Sequence, residues 1–320
     1  MLIIASFIAA IVPMFLYLII LWRMDRNERE SFKNVLKHFT WGALGAIFFG
    51  IIFSQLASIP VHIIIQSPEA MSLASAIIIA PIIEEITKGI FLFKTVKNKY
   101  FDNATDGLVY GGAIGLGFGM TENFLYFITY GDTIVGWVFL VIIRSIFSAV
   151  MHCIATATFG SFLGRAKFGT PGKKYFYPFI GLGIAMGLHF LWNLTVSFPI
   201  TYIFGLLFMI GAIVTFFVMF NISVKHERKL ILAHLSDENI PAMHKNILAT
   251  TSRNYPGWIE ESIRKEYIKC TTKLAFRKDQ VRFLEEGKRE VLLSEIDLLR
   301  QRINALLTGN ISQLDIPIPD

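Results

Sequence analysis

The 320-residue chain is 54% hydrophobic and 17% charged, with a formal net charge of +6 and a mean hydropathy of +0.55. These proportions argue against a soluble enzyme and for a polytopic membrane protein. The positive charge lies in short loops between apolar runs, which makes it an orientation signal rather than a nucleic-acid footprint. Of the two cysteines, Cys153 falls in an apolar run and Cys270 in the polar tail, so neither a disulfide between them nor a thiolate site is expected.

Apolar runs near 1–22, 41–65, 72–93, 107–130, 134–163, 176–196 and 199–223 are each long enough, or nearly so, to cross the hydrocarbon core as a helix. The expected fold is all-α: a membrane helix bundle of about seven transmembrane helices over 1–223, then a small cytoplasmic helical tail over 224–320. The first run lacks a preceding basic stretch and a convincing cleavage site, so it is expected to remain as a span. Arg23, Arg26, Arg29, Lys33 and Lys37 follow the first run, Lys94, Lys97 and Lys99 the third, and Arg165, Lys167, Lys173 and Lys174 the fifth. The connections after the second, fourth and sixth runs hold no Lys or Arg. Basic loops stay in the cytoplasm, which places the N-terminus outside and the C-terminus inside.

Ionisable side chains inside such runs are costly, and those found there usually face a polar interior and carry chemistry or transport. In the third run, Pro81 removes a backbone donor and tends to kink the helix just before Glu84. Glu84 and Lys88 are i and i+4, and Glu85 and Lys88 are i and i+3, so the lysine can neutralise either acid. Adjacent glutamates point about 100° apart on a helix, so one can face a cavity while the other holds a neighbour. The fourth run begins near Asp102 and Asp106, which suit a helix start. It then carries Gly107, Gly111, Gly115 and Gly119, a stripe for close helix contact on the cytoplasmic side of Glu122. The fifth run contributes Arg144 and His152 on roughly one side. Arg144 suits structural pairing with an acid, and His152 is either a packing residue or a second polar member of the cavity. In the sixth run His189 and Asn193 are i and i+4, beside Trp192. An imidazole that positions water and an amide that donates to an oxyanion make a hydrolytic pair, although interhelix hydrogen bonding accounts for such a pair equally well.

These groups can converge near mid-membrane. Glu122, His152, His189 and a third-run glutamate are donors of the kind that hold zinc. There is no HExxH or comparable compact motif, however, so no cofactor is expected and zinc is the lesser reading. The same charges could serve as relays in a proton-coupled transporter, but no inverted repeat is evident. Beyond 223 the chain becomes polar, with Pro241 and Pro256 near breaks. Ile259, Ile263, Tyr267, Cys270 and Leu274 recur at helical spacing, as do Leu292, Ile296, Leu299, Ile303 and Leu306. The second set forms a short seam that could pack on the first or support self-association. Nearly balanced charge in this tail gives no reason to expect a nucleic-acid partner.

EEITK at Glu84 to Lys88 fits an EExxK motif, Phe118 to Glu122 resembles an FxxxH position with Glu in place of His, and His189 to Asn193 fits HxxxN. Over roughly 70–223 the chain thereby resembles the PrsW-type intramembrane proteases, relatives of the CAAX prenyl proteases and bacteriocin-processing membrane enzymes. The resemblance implies peptide hydrolysis in a bacterial cytoplasmic membrane without a covalent acyl-enzyme. Glu84 or Glu85 would activate water, His189 would position or protonate, and Asn193 would stabilise the oxyanion, with Lys88 and Arg144 in support. Glu122 departs from the superfamily pattern; it would orient water or tune the proton inventory, with His152 supplying the missing imidazole. The implied substrate is a single-span membrane protein or peptide in the bilayer, such as an anti-sigma factor cut near the outer face.

Overall fold

The computed structural model describes residues 2–98, 101–283 and 286–309; Met1, Lys99 and residues 310–320 of the expected tail lie outside them. Each apolar run is helical over its described residues except Ile65, an extended cap at the end of the second. Helix α1 is Leu2–Met24, α2 Phe32–Ile64, α3 68–96, α4 Ala104–Tyr130, α5 Ile134–Lys167, α6 Pro171–Val196 and α7 Tyr202–Leu235. Among the described residues the α-helices α8 Ala242–Leu248, α9 Glu261–Gln280 and α10 Glu286–Thr308 follow. The protein is an all-α, polytopic membrane helix bundle. Among the described residues five segments are long and apolar enough to cross a membrane: α1, α2, α5, α6 and Pro199–Leu235. Their outward faces are themselves apolar. Ile64 is 83% exposed, Val135 81% and Ile200 84%, a surface suited to lipid tails rather than water.

The chain forms two compact units, Met1–Met24 with Glu30–Phe220, and Asp25–Arg29 with Asn221–Asp320. In the first, α4 is the central post, packed most extensively on the second half of α5 and also on α1 and α2. Every residue from Thr105 to Gly119 is buried. The glycine stripe makes this possible. A Cβ on Gly107, Gly111 or Gly115 would collide with the main chain of Gly160, Thr156 or His152 on α5, and one on Gly117 with that of Phe39 on α2. Backbone-to-backbone approach on two faces lets a helix with few large side chains bury itself, the packing mode that membrane helices favour. Its start is fixed by a capping box. Asn103 Oδ1 accepts from the Asp106 amide (3.1 Å), and Asp106 Oδ2 accepts from the Asn103 amide (3.2 Å).

Among the described residues three helices carry a π-helical turn: Trp41–Ala46 in α2, Ser75–Ile79 in α3 and Arg144–Ser148 in α5. In α3 the amide of Ala80 donates to the Ser75 carbonyl, five residues back. The next amide on that ladder would belong to residue 81, a proline with no N–H. The Ala76 carbonyl instead accepts from Asn193 Nδ2 on α6, at 2.8 Å.

The second unit has its own core. Tyr267, Cys270 and Leu274 from α9 meet Ile296, Leu299, Ile303 and Leu306 from α10, with Ile231, Leu235 and Leu248 completing the cluster. The seam on α10 thus packs on α9. Cys270 is free, and burial pushes its thiol up to about 11. Buried Arg253 donates to the Arg26 and Asn27 carbonyls (2.6 and 2.7 Å), and Asn27 Nδ2 donates to Glu227 (2.8 Å), which anchors the segment 25–29 in this unit.

Candidate active site

Inside the first unit, α3, α4, α5 and α6 bring their ionisable residues into one cluster. The anchor is Glu85, with a side chain only 1% exposed. Its Oε1 accepts from Lys88 Nζ (2.7 Å) and His189 Nδ1 (3.1 Å), and its Oε2 from Thr156 Oγ1 (3.1 Å). Both of its oxygens are therefore occupied. Lys88, wholly buried, also donates to His152 Nδ1 (2.8 Å) and lies 4.0 Å from the centroid of the Phe118 ring. The buried ammonium ties α3 to α5 through His152 and to α4 through Phe118, while Glu85 ties α3 to α6 through His189.

Glu122 forms the second anchor. Its Oε2 accepts from Arg144 (2.7 Å) and from His152 Nε2 (2.8 Å). Arg144 also donates to Asn123 Oδ1 (3.1 Å), and its guanidinium stacks 3.5 Å over the Tyr126 ring. The acid that Arg144 pairs with is Glu122. The His152 and His189 rings meet edge to face with centroids 4.8 Å apart.

Glu84 differs from both. Its Oε2 is buried and makes no hydrogen bond; its neighbours are Lys88 Nζ at 3.7 Å and His189 Nε2 at 3.9 Å. Donor atoms of Glu84, His152 and His189 all lie within 4.8 Å of one another, a group able to hold a metal ion. This overturns the expectation of no cofactor, which rested on the lack of a compact motif. The ligands come from three different helices, so no short spacing could reveal them. One carboxylate and two imidazoles form a zinc-type donor set, and a buried carboxylate oxygen without a hydrogen bond is an atom that a cation would satisfy. The second shell fits as well. A Glu85 carboxylate that accepts the His189 Nδ1 proton leaves Nε2 as the lone-pair atom on the Glu84 side; Glu122 does the same for His152 through Nε2, and the Nδ1 lone pair that remains is the one to which Lys88 Nζ donates at 2.8 Å.

The structure therefore gathers Glu84, Glu85, Lys88, Glu122, Arg144, His152 and His189. Asn193 is engaged elsewhere, with the Ala76 carbonyl. The sequence reading missed Thr156 and Asn123. Thr156 follows His152 by one helical turn, and Asn123 neighbours Glu122; both spacings were visible, but only in hindsight of which face points inward.

The family model for the PrsW family intramembrane metalloprotease matches residues 30–222. Protease PrsW of Geobacillus kaustophilus is 30% identical over 153 residues, which cover 48% of this chain and 62% of that protein. Protease PrsW of Clostridioides difficile is 26% identical over 185 residues, 57% of this chain and 75% of that protein, and that of Oceanobacillus iheyensis is 36% identical over 110 residues, 32% and 48% respectively. The chain thus spans less than two thirds of the Geobacillus protein's length. No solved structure matches. The family match covers the helices that carry all seven gathered residues, and the chain belongs to the PrsW family of intramembrane metalloproteases.

Proposed function

We propose that the protein is a metal-dependent intramembrane endopeptidase, with Glu84, His152 and His189 holding a divalent cation such as zinc. The carrying observation is the convergence of these three donors within 4.8 Å, one of them a buried Glu84 oxygen without a hydrogen bond. Bound there, the cation would supply Lewis-acid polarisation of a peptide carbonyl and acidification of water. The chain's own residues do the rest. Glu85, saturated by Lys88, His189 and Thr156, fixes the imidazole of His189 and is a positioning group. Glu122, held by Arg144, does the same for His152. Lys88 donates to His152 Nδ1, so a cation would compete with this ammonium for that lone pair.

We take the substrate to be a membrane-anchored segment, with an anti-sigma factor as the specific case that the family resemblance suggests. Seven crossings, with the N-terminus outside and the C-terminus in the cytoplasm, are the topology that the basic loops support. The test is cleavage of single-span peptides by purified protein, read by mass spectrometry, alongside metal content by elemental analysis. Cleavage lost on stripping the metal and restored by zinc, with less bound metal in Glu84→Gln and His189→Ala, is the expected result. Full cleavage by metal-free protein would sink the reading.

A further inference from the structure

We infer that a groove between the first half of α2 and the end of α3 is a binding site for an anionic phospholipid of the surrounding bilayer. The groove has a volume of about 520 Å³ and is lined by Lys33, Leu36, Lys37, Trp41, Leu44 and Phe91, among others. Its chemistry is graded along α2. Lys33 and Lys37 are one helical turn apart, both exposed, and no ion pair to either is found among the described residues. Below them the wall is apolar: Leu44 is 66% exposed, and Trp41 stacks on Phe91 with centroids 5.3 Å apart. Gly45 carries no Cβ where the Trp41 ring lies against it; a Cβ there would run into that ring. Two ammonium groups above an aromatic and aliphatic wall match a phosphate headgroup above an acyl chain.

The surroundings put this groove at a membrane surface. His38 Nε2 is 2.8 Å from Thr95 Oγ1, which joins the start of α2 to the end of α3. Lys167 Nζ donates to the Phe101 carbonyl (2.7 Å), which brings the end of α5 to the connection between α3 and α4. Lys33, Lys37, Lys94, Lys97 and Lys167 thus share one end of the bundle. A basic rim of this kind is drawn to an anionic leaflet, with each lysine adding roughly a few-fold to the attraction. Trp at that level is the usual interfacial anchor. The occupant is lipid rather than water-soluble phosphate because the groove is mostly apolar and opens on a lipid-facing flank.

The site lies next to the catalytic helix. Trp41 Nε1 donates to the Thr87 carbonyl (3.3 Å), in the turn between Glu84 and Lys88.

The test uses full-length protein in phosphatidylcholine vesicles doped with brominated phosphatidylglycerol or, at equal bromine content, brominated phosphatidylcholine. The Trp41 emission is taken as wild type minus Trp41→Phe. About tenfold preferential quenching by the anionic lipid is expected, with that preference falling to near parity in Lys33→Gln/Lys37→Gln. A second measurement needs no tryptophan variant: native mass spectrometry from mixed micelles should show phosphatidylglycerol retained on the wild type and lost from the double lysine variant. Equal quenching or equal retention of the two lipids overturns the site, as does a preference unchanged in the double variant. Displacement of the lipid by an acidic juxtamembrane peptide would assign the groove to a protein segment instead.

Discussion

Glu84 and Glu85 occupy adjacent positions on α3, yet Glu85 has two saturated oxygens while Glu84 has a buried oxygen with no hydrogen bond. The consequences of replacing them should differ accordingly. Glu85→Gln leaves the buried Lys88 ammonium without its 2.7 Å counter-charge, and breaking a buried pair from one side costs about 3–5 kcal/mol. A large fall in the thermal unfolding midpoint in detergent is expected. Glu84→Gln removes no hydrogen bond from Oε2 and only a 3.7 Å contact to a Lys88 that keeps Glu85 at 2.7 Å, so unfolding should move less than in Glu85→Gln, while bound zinc falls by at least about tenfold, as loss of a ligand should exceed the 10–100-fold of an outer-shell change. Elemental analysis and a melting curve on both variants check this. Equal metal content in Glu84→Gln and wild type would remove Glu84 from the metal-holding set.

Between elements, the decisive contacts are main chain to main chain. Gly115 on α4 rests on the carbonyl of His152 itself. Gly115→Ala must push α5 away, at a cost of about 1–3 kcal/mol, and should weaken zinc binding because the displaced residue is a metal-holding one. Gly187→Ala, on α6 with open space around the added Cβ, is the matched control and should be silent in both assays. The π turn of α3 makes a separate prediction. Asn193→Ala leaves the Ala76 carbonyl without its donor, a loss of about 1–3 kcal/mol. Pro81→Ala in the same background restores an amide at residue 81 and should recover part of that loss. A double-mutant cycle on unfolding midpoints reads the coupling; strict additivity would mean that Pro81 and Asn193 do not serve the same carbonyl.

For the molecule as a whole, pH should act on the first unit through Glu30, in the connection between α1 and α2. Burial pushes its carboxyl up from 4.5 to about 7, with a further push from Asp102 against hydrogen bonds from Tyr110, the Ser31 amide and Asn34. A raised folded-state value means that the folded protein holds this proton more tightly than the unfolded chain. The resulting stability is full below about pH 4.5 and is lost as pH rises through about 7. Glu30→Gln should flatten that part of the curve of melting temperature against pH; an unchanged slope would assign it to another group.

Much of this was legible in the residues alone, because its causes are local. A run of apolar side chains must become a helix in lipid, since no water is there to satisfy an open backbone. Charge inside such a run is too costly to be incidental, which singled out Glu84, Glu85, Lys88, Glu122, Arg144, His152 and His189 before any packing was known. The glycine spacing on α4 likewise announced a close helix contact, and the tail pattern announced two amphipathic helices. What the tertiary structure decided is which faces meet. Only the approach of α5 to α4 and of α6 to α3 puts His152 and His189 beside Glu84, a donor set with no sequence spacing of its own. Only the π turn at Ser75–Ile79 and the proline beyond it explain why the Asn193 amide is held by a backbone carbonyl. A helix's composition fixes that it forms and where it is apolar, but its rotation about its own axis is set by its neighbours, and chemistry at a site shared by four helices depends on that rotation.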